Sequence, residues 1–476
     1  MPGFQNASPA HALAEFVATS GEVVSQRARS MACEGIRDAI ACMIAGATDP
    51  AVDAVHRGVA KVAAGHGSLV GRASTLALPD AAMVNGTAAH ALDFDDNYPP
   101  TSGHASAVLV PALLALGEAR GVKGCALVDA YILGLEAMRL AGEEVQLDQY
   151  RRGWHTTVTL GTMGVAAGCS RLLRLDAERT AHAMALSTSM ATGSKIQFGT
   201  MAKPLHVGLT ARAGVMAALM AEAGVTAAVE VLTGPWSLAD LLVGRPELTL
   251  ERSLANLDAV RRGRAPFAIE ALGLKLKIHP CCASSHSSID LMLDLQRAHG
   301  FAAADIESIE AVVRETSYRN LMYDAPIHPM QARFSMPYAL AAVLVGGGRL
   351  RLGDFTEKAV ARPEVRSLLP RIHRCIHAPD SPIAHSTVAM EPAEMTIRLR
   401  GGREIFGRRF GQRGLVHDPL SAEELDDKLR DCLAASALAA RAGEVIAALK
   451  ALDGPGTIGE LMRVLAPGAG QPRRSI

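Results

Sequence analysis

The chain is 476 residues long, enough for more than one hydrophobic core, so a large domain with a smaller partner is the expectation. Its 48 basic and 48 acidic side chains cancel, which leaves no whole-molecule field to draw nucleic acid or an anionic membrane; any attraction for an anion has to be local. Hydrophobic residues make up 49% but aromatics only 4%, an excess carried by Ala, Leu, Val and Met that suits helix-on-helix cores, and the eight cysteines offer no CxxC spacing for a zinc or redox site and fit a reducing cytoplasm.

At the N-terminus MPGFQNASPAHALAEF lacks the basic and apolar blocks of a signal peptide, and the most apolar stretches are broken by Glu, Arg or His, so neither export nor membrane insertion is expected. From about Ser8 to Leu232 the pattern is repeatedly helical, as in ARSMACEGIRDAIACMIAG and LTARAGVMAALMAEAG, with apolar residues at three- and four-residue spacing and Gly at the ends. After Arg261 strand signals enter: LGLKLKIHP, then IESIEAVVRET, then MTIRLRGGREIFGRRF, whose Gly-Gly suits a hairpin turn. Helical pieces such as SMPYALAAVLVGGG and RPEVRSLLPRI lie between them, and helical periodicity returns after HDPLS. The expected architecture is mainly α: a large all-helical domain over 1–268, a smaller α+β lid domain over 269–412, and C-terminal helices over 413–476 that return to the helical domain, with a ligand in the cleft. The final GAGQPRRSI is expected to fray.

Chemistry concentrates at element boundaries. HALDFDDNYPPTSGHASAVLV places Asp93, Asp95 and Asp96 beside a Pro-Pro loop that ends at His104, where an apolar helix begins. GWHTTVTLG sets His155 before a helix of small residues, and GTMAKPLHVG sets Lys203 before Pro204 with His206 three positions on. Helix starts carry unpaired N–H groups that hold anions and favour the neutral imidazole, which can accept a proton. Brought together, these starts would form a pocket for a small di- or tricarboxylate. A further cluster, Lys277, His279, Cys282 and His286, sits at a strand-to-helix junction, while Cys281-Cys282 itself reads as buried packing and VRRGRAP as a solvated loop.

Through NGTAAHALDFDD, the helix-start His104, GWH, AKPLHVG, the PCC...H junction and QARFSMPYALA, the chain resembles the MmgE/PrpD family along nearly its whole length. The resemblance implies a helical domain with an α+β lid, a homodimer, and cofactor-free chemistry on a small polycarboxylate. That chemistry would be dehydration of 2-methylcitrate first, with cis-aconitate decarboxylation or iminodisuccinate epimerisation as alternatives. It also implies catalytic Asp93, His104, His155, Lys203 and His286, with Asn97, Lys277 and Tyr318 binding substrate. The chain departs from the family in having Asn97 where some members have Thr, Cys282 where some decarboxylases have His, and SGHAS where HPS is commoner. Two other classes stand beside this one on the residues alone: a metal-dependent hydrolase built from His104, His155, His206 and the Asp cluster, and a non-catalytic scaffold whose loops bind a partner.

Overall fold

The computed structural model describes residues 8–20, 24–381 and 391–467, so the terminal GAGQPRRSI lies outside the described residues. Contacts divide the chain into two compact units: unit 1 holds residues 95–274 with the described segments before Leu92 and after Asp431, and unit 2 holds Lys275–Asp431 together with Leu92–Phe94.

Unit 1 includes α1 (Pro9–Thr19), α2 (Gln26–Gly46), α3 (Pro50–Val59), α4 (Leu78–His90), α5 (Ala105–Arg120), α6 (Gly124–Gly142), α7 (Gln146–Arg151), α8 (Thr156–Thr159), α9 (Gly161–Leu172), α10 (Ala177–Thr188), α11 (Ala202–Glu222), α12 (Leu238–Val243), α13 (Glu251–Arg261) and α14 (Ala268–Ala271), and the C-terminal helices Ala442–Lys450 and Ile458–Leu465 return to it. A two-residue antiparallel pair, β1 (Gly67–Ser68) and β2 (Thr75–Leu76), is the exception to the all-helical expectation. Side-chain caps start several helices: the Ser25 hydroxyl accepts from the Ala28 N–H at 2.9 Å, and Asp176 accepts from the Arg179 N–H at 2.8 Å. The central helix α5 is buried without interruption from Ala105 to Gly117, as expected of a helix apolar on every face.

Small residues let these helices approach closely. A Cβ added at Gly208 in α11 would sit 2.3 Å from the Met83 carbonyl oxygen and 2.4 Å from Thr87 Oγ1 in α4, and one at Gly86 would sit 3.0 Å from the Gly208 Cα. This seam joins the end of α4, which bears His90, to the beginning of α11, which bears Lys203 and His206. Helix α11 is also the one described helix long and apolar enough to cross a bilayer, but its Val207, Ala211, Val215 and Ala218 are fully buried in unit 1.

Unit 2 contains α15 (His286–His299), β3 (Ile306–Val313), α16 (Glu315–Asn320), α17 (Pro329–Ala332), α18 (Met336–Gly346), β4 (Ile372–Ile376), β5 (Ala393–Leu399) and β6 (Glu404–Arg409). The strands form one mixed sheet in the order β4-β3-β5-β6, with β3 parallel to β4 and antiparallel to β5. Ala393, Met395, Ile397 and Leu399 alternate into a core shared with Ile289 and Met292 of α15 and Leu340 and Val343 of α18. The β5–β6 hairpin turns at Gly401 and Gly402, whose φ of 96° and 87° a side chain would disfavour.

Three sequence expectations change. LGLKLKIHP forms no strand: Lys275 and Lys277 are both buried, so neither face is left for a solvated sheet edge, and Leu276 pairs instead through its N–H with the Gly414 carbonyl at 3.0 Å. The tail of RPEVRSLLPRI leaves the helical state and enters β4, because Ile309–Val313 of β3 offer a parallel partner from Ile372 onward. The divisions between units fall at Leu274/Lys275 and Asp431/Cys432 rather than at 268/269 and 412/413, since Arg413 is tied to Asp290 and Glu424, and Lys428 to the Lys277 carbonyl.

The α4–α11 seam makes a directional prediction. Gly208→Ala loses about 1–3 kcal/mol to overpacking despite Ala's better helix propensity, whereas Gly58→Ala in α3, where an added Cβ meets nothing within 4 Å, gains about 0.5–1 kcal/mol. Thermal denaturation of the two variants checks the opposite signs.

Candidate active site

The site in unit 1 grows from the loop that follows α4. His90, the last residue of that helix, donates from Nδ1 to both carboxylate oxygens of Asp95 at 2.9 Å. His104 is the N-cap residue of α5, and its Nδ1 lies 2.8 Å from the Asp96 carbonyl oxygen and 2.9 Å from Asp95 Oδ2. A carbonyl only accepts, so His104 Nδ1 carries a proton there, and Asn97 Nδ2 donates to Nε2 at 3.4 Å. The Thr157 hydroxyl accepts from the His104 N–H at 3.1 Å, which pins the start of α5 to α8. The His90 and His104 rings are 4.2 Å apart.

His155 is the N-cap residue of α8, and its N–H donates to the Gly193 carbonyl at 2.9 Å. Its ring is 6.3 Å from that of His90, its Nδ1 lies 3.2 Å from His206 Nδ1, and Phe198 meets it edge-on at 5.0 Å. Lys203, in the first turn of α11 and 5% exposed, places Nζ 5.2 Å from the centre of the Phe198 ring. The three expected helix starts therefore meet: His104, His155 and Lys203 share one region of unit 1 with Asp95, Asn97 and His206. The Nε2 atoms of His90 and His155 and the Asn97 Oδ1 are buried and without a hydrogen-bond partner among the described residues. Such atoms are the ones a bound ligand would satisfy.

Burial and a neighbouring ammonium set the protonation states. Desolvation first, then the Lys203 charge, hold His155 well below the usual imidazole range, and the same two causes lower His206. His90 is pulled down to about 3 by desolvation, which outweighs the opposing pull of Asp95. Burial raises Asp95, but His90 and His104 together overcome it and leave that carboxyl well below its ordinary value. Asp96 next to it goes the other way: burial pushes it up to about 7, although it accepts from the Ser106 hydroxyl, which in turn lies 2.6 Å from the Tyr131 hydroxyl.

His90, Asp95 and His104 offer ligand atoms within 4.8 Å of one another, a spacing a divalent cation can use. The spacing already has an account, because it is the two Nδ1–H to carboxylate contacts described above; a cation there would have to displace both protons.

The sequence motifs did not single out His90. Its sequence signal is an imidazole at a helix end shortly before a carboxylate, in HALDFDD, rather than at a helix beginning. The remaining expected residues belong to unit 2. Lys277 is fully buried and donates to the Asp93 carbonyl at 2.7 Å, with Asp93 Oδ2 at 3.5 Å. Asp93 presents that carbonyl from a left-handed backbone, φ 51°. His286, the first residue of α15, reaches the Cys281 carbonyl through Nε2 at 3.2 Å, and its ring is 5.1 Å from that of His279. Burial first, then the His279 and Lys277 charges, hold His286 well below the normal imidazole range. Tyr318 lies on α16, its ring stacked 4.0 Å from the Arg374 guanidinium.

Asp96 supplies a test of this electrostatic picture. An acid whose folded pKa lies near 7 against 3.8 in the unfolded chain costs stability increasingly as pH rises between those values, and the cost levels off above 7. Asp96→Asn, which keeps the acceptor for Ser106, gains on wild type through that window and by on the order of 2–4 kcal/mol above it; melting temperatures of the two proteins from pH 4 to 8 measure the difference.

Two family patterns cover most of the chain: the MmgE/PrpD N-terminal domain matches residues 11–251, and the MmgE/PrpD C-terminal domain matches residues 279–453. The chain is 28% identical over 360 residues to cis-aconitate decarboxylase of Homo sapiens, an alignment covering 74% of this chain and 71% of the relative. It is 29% identical over 362 residues to the protein of the same name in Mus musculus, covering 74% and 70%. A cis-aconitate decarboxylase-like protein, oryM, of Aspergillus oryzae (strain ATCC 42149 / RIB 40) is 24% identical over 385 residues, covering 75% and 76%. With both domain patterns in order along one chain, the protein belongs to the MmgE/PrpD family.

Proposed function

We propose that this protein is a cofactor-independent lyase that makes or quenches a carbanion-like centre beside a carboxylate of a small di- or tricarboxylate. The observation that carries the reading is the meeting of two buried imidazoles held neutral, His90 and His155, and the half-buried His206, whose proton affinity is also lowered, with the Lys203 ammonium. Neutral imidazoles take up and return protons, and a fixed cation stabilises the anion that forms when a proton or CO2 departs. Burial strengthens both effects by lowering the local dielectric.

The relatives are named as cis-aconitate decarboxylases, so cis-aconitate is the first substrate to try, ahead of 2-methylcitrate and iminodisuccinate. In decarboxylation the bond to one carboxylate breaks, CO2 leaves, its electron pair moves into the neighbouring carbon–carbon bond, and an imidazole that has first taken up a proton from solvent delivers it to the far carbon of the former double bond. Lys203 holds a substrate carboxylate, and His104 and His155 handle the proton. In dehydration the same imidazoles remove a proton and the hydroxyl leaves as water.

Product analysis by NMR after EDTA dialysis tests the class. Turnover of one of the three acids is expected to survive the chelator. Activity lost with EDTA and restored by zinc would favour the metal-dependent hydrolase instead. His104→Gln and Lys203→Met are each expected to lower kcat by about 10²–10⁴-fold with the fold retained. The neutral state of His155 fixes the sign of the pH effect: kcat/KM holds as pH falls from 8 to about 6, where an ordinary imidazole base, pKa about 6.5, would already have lost more than half its active form. A decline centred near pH 6.5 would remove His155 from the role of base.

A further inference from the structure

We infer that Asp95 is a positioning residue that fixes the tautomers of two imidazoles at once, turning the lone pair of Nε2 outward on both His90 and His104. This deepens the proposed function and rests on it for its catalytic meaning. The geometry is independent of that meaning. Asp95 is fully buried, and its carboxylate lies 2.9 Å from His90 Nδ1 and 2.9 Å from His104 Nδ1. Among the groups acting on it, the two histidines are those that favour the ionised carboxylate.

An ionised carboxylate is acceptor-only, so each facing nitrogen must carry a proton. The His104 assignment has independent support in the Asp96 carbonyl, which also accepts from Nδ1 at 2.8 Å. His90 has no second acceptor described at Nδ1, so its tautomer depends on Asp95 alone. A neutral imidazole protonated at Nδ1 has its lone pair at Nε2, the atom that in His90 is buried without a partner. The two rings, 4.2 Å apart, are thereby held as neighbouring proton acceptors that share one anchor.

The amide of Asp95→Asn keeps the size of the side chain but has one acceptor and one donor arm. It can satisfy one Nδ1–H; the other histidine must lose its anchor or move its proton to Nε2, where it blocks the lone pair. Because His104 retains the Asp96 carbonyl, His90 is expected to be the one that changes. The experiment uses full-length protein labelled with 15N-histidine, with His90→Gln and His104→Gln spectra to assign the signals. In the wild type both residues should show Nδ1–H with an unprotonated Nε2. In Asp95→Asn the His90 pattern should reverse or average while that of His104 persists, and kcat on the acid that is turned over should fall by about 10²–10⁴-fold with KM within about threefold, the scale expected when a catalytic imidazole loses its orienting carboxylate.

Wild-type spectra with His90 protonated at Nε2 would overturn the inference whatever the variant does. So would an Asp95→Asn protein whose His90 signals and kcat both match the wild type. The wild-type tautomer reading needs neither substrate nor a folded Asp95→Asn protein. Inertness toward every polycarboxylate would therefore sink the proposed function while leaving the tautomer claim standing, and wrong tautomers beside normal turnover would do the reverse.

Discussion

A carboxylate sealed from water must find its counter-dipoles within the protein, and Asp95 finds them in two imidazole N–H groups rather than in a cation. That one interaction organises much of unit 1. It closes the loop between α4 and α5 back onto the end of α4, and with the Thr157 hydroxyl on the His104 N–H it fixes where α5 begins. The neighbouring Asp96 shows what happens without such donors: with one hydroxyl and a distant backbone N–H for company, burial keeps its proton on to near neutral pH. Two adjacent acids in one loop thus occupy opposite protonation states at pH 6 for reasons visible in their hydrogen bonds.

Much of this was legible in the chain. Helical periodicity, terminal glycines and Pro204 located the helices on which His104, His155 and Lys203 sit, because these are local signals written over a few residues. The Gly401-Gly402 turn was legible for the same reason. The failures were non-local. LGLKLKIHP alternates as a strand should, yet the fold buries both of its lysines, and burial depends on partners such as Phe94 and Lys428 that lie far away in the sequence. Strand β4 is short and half-exposed, so its pairing with β3 decides its state more than its composition does.

His90 is the instructive omission at the site. Histidine at the end of a helix has an ordinary reading as a favourable partner of the helix dipole, and nothing in its own segment distinguishes that from a chemical role. Only in three dimensions do Asp95, His104 and Lys203 come to surround it. Tyr318, which the resemblance implies as a substrate ligand, has its ring against the Arg374 guanidinium in unit 2. In the same unit Asp93, Lys277 and His286 interact as a group that sequence order alone, with Asp93 so distant from the others, could not have joined.

The glycine seam between α4 and α11 has an implication for how this scaffold can diversify. Two backbones in van der Waals contact leave no volume to trade, so side chains along that line cannot be enlarged without parting the two helices. The segment 190–201, which contributes Phe198 and joins α10 to α11, is less tightly packed: it is largely irregular and half-exposed, although a Cβ at Gly193 would come within 2.9 Å of the Val158 side chain. Changes of shape beside the imidazoles are therefore easier to make in that connecting stretch than along the helix seam.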